Sequence, residues 1–140
     1  MKQFYIGVDY GTNSVRAVVV DLSCGDEIGA AVFDYPSGDA GILLDDADPN
    51  LARQNPADYI AGFFQSVKEA LRQAAGHAEF AVDRVVGIGV DTTGSTPIPV
   101  DADGVALATK AEFANNLAAQ AWLWKDHTSH AVAQEITEKA

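Results

Sequence analysis

Gly7-Val8-Asp9-Tyr10-Gly11-Thr12-Asn13-Ser14-Val15-Arg16 is the stretch on which the reading of the fold depends. An apolar alternation, Phe4, Ile6 and Val8, runs into it, and a second apolar run, Val15, Ala17 to Val20 and Leu22, leaves it. Enrichment in Val, Ile and aromatics predicts strands over 4–9 and 15–22. So short a connection makes an antiparallel hairpin the simplest pairing. Gly11 lets backbone N–H groups come close to phosphate oxygens, and Thr12, Asn13 and Ser14 add short donors. Asp9, at the strand end, suits Mg²⁺ directly or through water, because that ion prefers oxygen ligands and keeps part of its hydration. Arg16 either completes the charge balance or pairs with a carboxylate. Ordinary turn chemistry also explains Gly, Asn and Ser here. The stretch alone leaves a plain hairpin and an anion-holding turn both open.

Working outward, Ser23-Cys24-Gly25-Asp26 is a turn signal, and 27–35 reads as a third strand that completes a meander before Pro36. Residues 36–54 contain four aspartates, Pro and Gly without a clear period. They read as a long surface loop in which Ile42-Leu43-Leu44 either packs or adds a short strand; so long a loop is either functional or a decoration. Asn55-Pro56-Ala57-Asp58 is a helix start: Asn55 caps, Pro56 takes the first helical position and Asp58 favours the first turn. Ile60, Phe63, Phe64, Val67, Ala70, Leu71 and Ala74 recur at helical spacing, with Gly76 as the C-terminal cap. This helix is expected to cover one face of the sheet.

Val85 to Val90 is an apolar run without polar alternation, the pattern of a parallel strand buried on both faces. Ile98 to Val100 and Val105 to Leu107 flank Asp101-Ala102-Asp103-Gly104 as a small hairpin. From Asn115 the Ala-rich chain reads as helical, is interrupted at Trp122 to His127, and resumes as a helix from His130 to Lys139. No internal repeat stands out. Three strands, a helical crossover and a buried strand give an α/β class with a mixed sheet.

The 140 residues suffice for one domain with a real core, and 48% hydrophobic against 21% charged residues is a globular balance. A net charge of −11 disfavours nucleic acid and anionic membranes as partners. No apolar run reaches the ~20 residues of a membrane span, and Asp9 interrupts any secretory core near the start. With Cys24 as the one cysteine, the expectation is a reducing cytoplasm.

Two further clusters carry chemistry. Asp91-Thr92-Thr93-Gly94-Ser95-Thr96 follows the buried strand at its C-terminal end, where ligands of open α/β sheets sit. There Gly94 leaves room for a substrate, and Thr93, Ser95 and Thr96 offer hydroxyls; an ordinary strand-end loop is the alternative. Gly87 and Gly89 do not complete G-x-G-x-x-G because Thr92 stands at the third position, and no G-x-x-x-x-G-K-[ST] occurs. Trp122-Leu123-Trp124-Lys125-Asp126-His127, with His130, lacks the spacing of a transition-metal site. Its tryptophans read as core and Lys125-Asp126 as a salt bridge. The sharper alternative is a sugar pocket, indoles stacking on sugar faces while polar groups take hydroxyls.

Together the clusters resemble a known family. Asp9-Tyr10-Gly11-Thr12-Asn13-Ser14-Val15-Arg16 looks like the first phosphate motif, D-x-G-T-x-x-x-R, of the actin/hexokinase/Hsp70 ATPase superfamily, and is most similar to its FGGY carbohydrate kinases. Gly87 to Pro97, Trp122 to Thr128, and the loop with Leu43-Leu44-Asp45, Asp48-Pro49 and Leu51 to Gln54 resemble the L-ribulokinase branch. The resemblance covers essentially all 140 residues. It implies a ribonuclease-H-like, actin-like ATPase fold, with residues 1–140 as a partial N-terminal domain incomplete at its C-terminal end. It implies ATP, Mg²⁺ and a ketopentose as ligands, and transfer of the γ-phosphoryl to L-ribulose in arabinose catabolism. By resemblance, Gly11, Thr12, Asn13, Ser14 and Arg16 hold phosphate and Asp9 positions the metal. Thr93, Gly94 and Ser95 contact sugar, Gly94 and Ser95 standing where glycerol-kinase relatives carry an Arg-Glu pair, and Lys125, Asp126 and His127 lie at or beside the sugar pocket. No carboxylate matches the family's catalytic aspartate, so no catalytic residue is assigned and the 140 residues alone are expected to give no turnover. Rival readings are a non-catalytic fragment that self-associates as a homodimer through uncovered sheet, another FGGY sugar kinase, and an acetate-kinase-like or chaperone-type ATPase.

Overall fold

β1 (Phe4–Tyr10), β2 (Ser14–Asp21) and β3 (Glu27–Asp34) form the expected antiparallel meander, with Asp9 opposite Arg16 and Ala17 opposite Ala31. The computed structural model describes residues 2–140. They divide into two compact units, residues 2–35 with 58–93 and residues 36–57 with 94–140.

In the first unit α1 (Pro56–Ala74) crosses over to β6 (Val85–Thr92), which pairs parallel to β1. The sheet order is β3-β2-β1-β6. Pleating puts Ile6, Val8, Val15, Ala17 and Val19 on the face that α1 covers, and all five are buried with Ala70 and Ala74 of the helix. Each fully buried Val contributes about 1.5–3 kcal/mol of transfer free energy. Ala70 and Ala74 are small because β3 approaches closely: a Cβ on Gly29 would collide with the Ala70 carbonyl and the Ala74 nitrogen.

The cap at α1 is as expected, the Ala57 N–H donating to Asn55 Oδ1 at 3.0 Å, while Asn55 Nδ2 donates to Ser37 Oγ at 3.1 Å. Asn55→Ala is expected to cost about 1 kcal/mol, read as a lower urea midpoint at unchanged slope. The other end differs from expectation. Gly76 is not left-handed, and its N–H closes a tight turn onto the Gln73 carbonyl at 3.0 Å, followed by His77 onto Ala74 at 2.9 Å.

β6 is parallel as expected but not buried on both faces. Ile88 and Val90, which pair with Ile6 and Val8, are 48% and 57% exposed. Among the described residues β6 is an edge strand, and α1 packs over β1 to β3 instead.

In the second unit the expected loop is largely sheet. β4 (Leu43–Asp45) and β5 (Asp48–Gln54) form a hairpin whose turn is set by the Asp45 carboxylate accepting from the Ala47 N–H at 2.9 Å. β5 also pairs with β7 (Ala121–Trp122). The apolar period was missing because the buried end of β5 is Ala52, Arg53 and Gln54. The Ala-rich segment is not a helix either. Asn116 Oδ1 accepts from the Ala118 N–H at 2.9 Å and Gln120 Nε2 donates to the Ala114 carbonyl at 2.9 Å, which confines the chain to one 3₁₀ turn, Leu117–Ala119, before β7. Gly104 is left-handed and closes the Asp101 turn, with a single bridge between Val100 and Ala106. α2 (His130–Lys139) forms as expected and is exposed throughout. No helix among the described residues is long and apolar enough to cross a membrane.

Candidate functional site

The strand pairing of the first unit assembles the first cluster. Asp9 is in register with Arg16 on one side and with Asp91 on the other. Paired residues share a face about 5 Å apart, so the guanidinium and both carboxylates rim one side of the sheet. They line an open depression of about 380 Å³ with Gly7, Val18 and Gly89. Gly7 and Gly89 leave its floor as bare backbone. Beside them Tyr5 lies across Gly87 and Gly89, and a Cβ on Gly87 would enter its ring.

The identity of the neighbours explains the geometry. Ile6-Gly7-Val8-Asp9 and Ile88-Gly89-Val90-Asp91 are the same four residues, and the parallel pairing matches them one for one. This short repeat is the signal that would have placed Asp91 beside Asp9 from the sequence. Asp9, Asp91 and Arg16 are all exposed, and two carboxylates against one guanidinium leave a net negative charge. Such a rim attracts a divalent cation before it attracts a bare anion, and its hard oxygen donors fit Mg²⁺.

The turn beyond Asp9 rests on aromatics. Tyr59 meets Tyr10 edge-on with ring centroids 6.1 Å apart, and Tyr35 at 5.6 Å. Burial pushes the Tyr59 phenol up to about 12, with the Asp58 charge adding to it, and raises Tyr35 further. Both therefore stay neutral at physiological pH. The Tyr35 N–H donates to the Asn13 carbonyl and the Thr93 N–H to the Tyr10 carbonyl, at 2.9 and 3.1 Å. The Gly11 N–H donates to the Ser14 carbonyl at 2.9 Å. Gly11 therefore closes the turn with its own amide.

In the second unit, nothing lies within 4 Å of a Cβ built on Gly94. Ser95 is left-handed at φ 57°, which costs about 1–2 kcal/mol for a residue with a side chain. Two residues on, the Pro97 carbonyl accepts from the Trp122 N–H at 2.9 Å. The third cluster is not the core and salt bridge expected. Trp124 is 53% exposed, and between the tryptophans Leu123 is buried with Ile42 and Ala52. Asp126 does not pair with Lys125. Its Oδ2 bonds Arg53 Nη1 in a buried ion pair and accepts from the Ala52 N–H at 2.8 Å, while Oδ1 accepts from Thr128 N and Oγ1 at 3.1 and 2.5 Å. Both oxygens are engaged, so Asp126 supports the turn rather than offering itself to a ligand. His127 is exposed and Lys125 half-buried. Burial lowers the pKa of Arg53 from its ordinary value, opposed by the Asp48 charge.

The first unit is thus an α/β sheet that opens with a hairpin and brings two acids together at the ends of paired parallel strands. Residues 4–140 match the N-terminal domain of the FGGY family of carbohydrate kinases, and the chain belongs to that family. It is 42% identical over 139 residues to the ribulokinase of Vibrio parahaemolyticus, covering 99% of this chain and 24% of that protein. To the ribulokinase of Geobacillus thermodenitrificans it is 37% identical over 143 residues, 99% and 24% of the two chains. Among solved structures, a xylulose kinase from Brucella ovis superposes with TM-score 0.68 at 25% identity, over 96% of this chain and 23% of that one. Plasmodium falciparum glycerol kinase with ADP gives 0.68 at 14% identity, over 99% and 24%. These similarities confirm the fold class expected from the sequence. The chain spans about a quarter of the length of these relatives.

Proposed function

We propose that the protein is a kinase that transfers the γ-phosphoryl of ATP to a hydroxyl of a ketopentose, with L-ribulose the favoured substrate. The observation that carries this is the in-register set Arg16, Asp9 and Asp91 in a chain of the FGGY family. Two similar proteins called ribulokinase support the choice of sugar.

Asp9 and Asp91 would hold Mg²⁺, which supplies neutralising charge to the phosphates when bound. Thr12, Asn13 and Ser14 orient phosphate oxygens from the turn, and Arg16 adds positive charge beside them. Gly11 keeps the turn closed. Thr93, Gly94 and Ser95 face the sugar, the bare Cα at Gly94 admitting its bulk, and Lys125 and His127 bind its hydroxyls. In the transfer a sugar oxygen bonds to the γ-phosphorus, the bond to ADP breaks, and the hydroxyl proton leaves to a base that we assign to none of these residues. Such chemistry is mostly positioning and electrostatics.

The test is coupled ADP release by the protein expressed from its own reading frame, with Mg²⁺-ATP and L-ribulose, xylulose or glycerol. The largest kcat/KM is expected with L-ribulose, and no sugar-dependent ADP release would sink the proposal. A second reading, self-association as a homodimer, is favoured by the exposed Ile88 and Val90 on edge strand β6. Light scattering decides that one, and a monomer at all concentrations removes it.

A further inference from the structure

Lys125 enters no ion pair among the described residues, although the chain carries a net charge of −11. It shares with Trp124 the tip of a β-turn closed by the Asp126 N–H donating to the Leu123 carbonyl at 2.8 Å. Both legs of this turn are fastened to β5. The Leu123 N–H donates to the Ala52 carbonyl at 3.1 Å, and the His127 N–H to the Asn50 carbonyl at 2.8 Å. The Asp126 carboxylate makes the third link, through the Ala52 N–H.

Arg53 fixes that carboxylate from within the fold. It is 3% exposed and ion-paired to Asp126. Its Nε donates to the Leu117 carbonyl at 3.2 Å, and its guanidinium carbon lies 3.8 Å from the centre of the Trp122 ring. One planar fork thus meets a carboxylate, a carbonyl and an indole face, a combination that lysine cannot reproduce. Stability alone is a poor reason for such a pair, since well-packed apolar residues often do as well. Holding one conformation is the better-attested use.

We infer that Arg53 is a positioning residue: through Asp126 it locks the 123–126 turn so that Lys125 is presented to the sugar in one orientation. This rests on the reading of Lys125 as a sugar contact given above. It also gives Asp126 a task that its engaged oxygens allow.

The test is a double-mutant cycle in the protein expressed from its own reading frame, read by ADP release. Arg53→Lys and Lys125→Met are each expected to raise the sugar KM about tenfold or more, as small misplacements do, with the ATP KM unchanged. The double variant is expected to be no worse than Lys125→Met alone, because a lost orientation costs nothing once the oriented group is gone. Independent effects that multiply, or a wild-type sugar KM in Arg53→Lys, overturn the inference. Amide exchange separates the two ways of failing. A sugar KM unmoved by Lys125→Met ends the sugar reading of Lys125, even where Arg53→Lys speeds exchange at Leu123 and His127. Unchanged exchange at those amides ends the lock itself. If Arg53→Lys does not fold, Thr128→Val removes one donor to Asp126 and leaves Arg53 in place. It is expected to raise the sugar KM in the same direction, and an unchanged KM in that folded variant counts against the lock.

Discussion

Asp9→Asn is expected to lower kcat for phosphoryl transfer by roughly 10²–10³-fold or more while leaving the fold intact. Asn keeps the volume and one oxygen but removes the charge. The rim then falls from two carboxylates and one guanidinium to one of each, and its attraction for a divalent cation goes with the lost charge. The side chain is exposed, outside the core that α1 covers, so the change in stability is expected to stay within ±0.5 kcal/mol. The kinase assay gives the first quantity and a thermal melt the second. Raising Mg²⁺ is expected to recover part of the activity, as a weakened metal site would. Wild-type kcat in a folded Asp9→Asn protein would remove Asp9 from the metal and, with it, the main support for the site.

The largest effect on stability is expected from Gly29→Val. Gly29 is opposite Val19 on the covered face, and its Cα faces helix backbone rather than side chains. A side chain there meets the Ala70 carbonyl and the Ala74 nitrogen, which cannot rotate away. Relief requires β3 and α1 to separate, opening the core around Ala70, Ala74 and Val19. The cost is expected to be about 3 kcal/mol, a large part of the 5–15 kcal/mol typical of a domain, and a fall in Tm on the order of 10 °C. Gly94→Ala is the control, because an added Cβ there meets nothing within 4 Å. It is expected to leave the urea midpoint unchanged within error. Equal midpoints for Gly29→Val and wild type would show that helix and strand are not as close as described.

The elements legible in the sequence were those whose burial is apolar and periodic. Phe4, Ile6 and Val8 announce β1, and Asn55-Pro56 with Phe63, Val67 and Ala70 announces α1, because propensity, capping and packing agree there. β5 was hidden because its interior residues include Arg53 and Gln54, whose burial depends on partners distant in sequence. The Ala-rich run misled for the opposite reason. Alanine favours a helix locally, but the amides of Asn116 and Gln120 capture backbone groups and end it after one turn. At the site, Asp9 was visible as an acid ending a strand into a glycine turn. Asp91 was visible only as part of a polar loop until register set it beside Asp9. Lys125-Asp126 was misread as a local pair because adjacency in sequence says nothing about a buried arginine on another strand.

Two identical tetrapeptides side by side also pose a problem of partner choice during folding. β2 could zip onto Ile6-Gly7-Val8-Asp9 or onto Ile88-Gly89-Val90-Asp91, and the four cross-strand neighbours would be the same residues in either case. Chain connectivity breaks the tie. The native pairing closes a turn of a few residues, whereas the competing one closes a loop of roughly seventy, which costs about 2–3 kcal/mol more in loop entropy. The hairpin should therefore be complete before the second copy arrives, with Tyr5 already on its outer face. Gly87 then accommodates that ring, and the late strand docks on the edge of β1 that β2 leaves free. Loop entropy, and not the side chains of the repeat, favours Asp9 as the aspartate that faces the arginine.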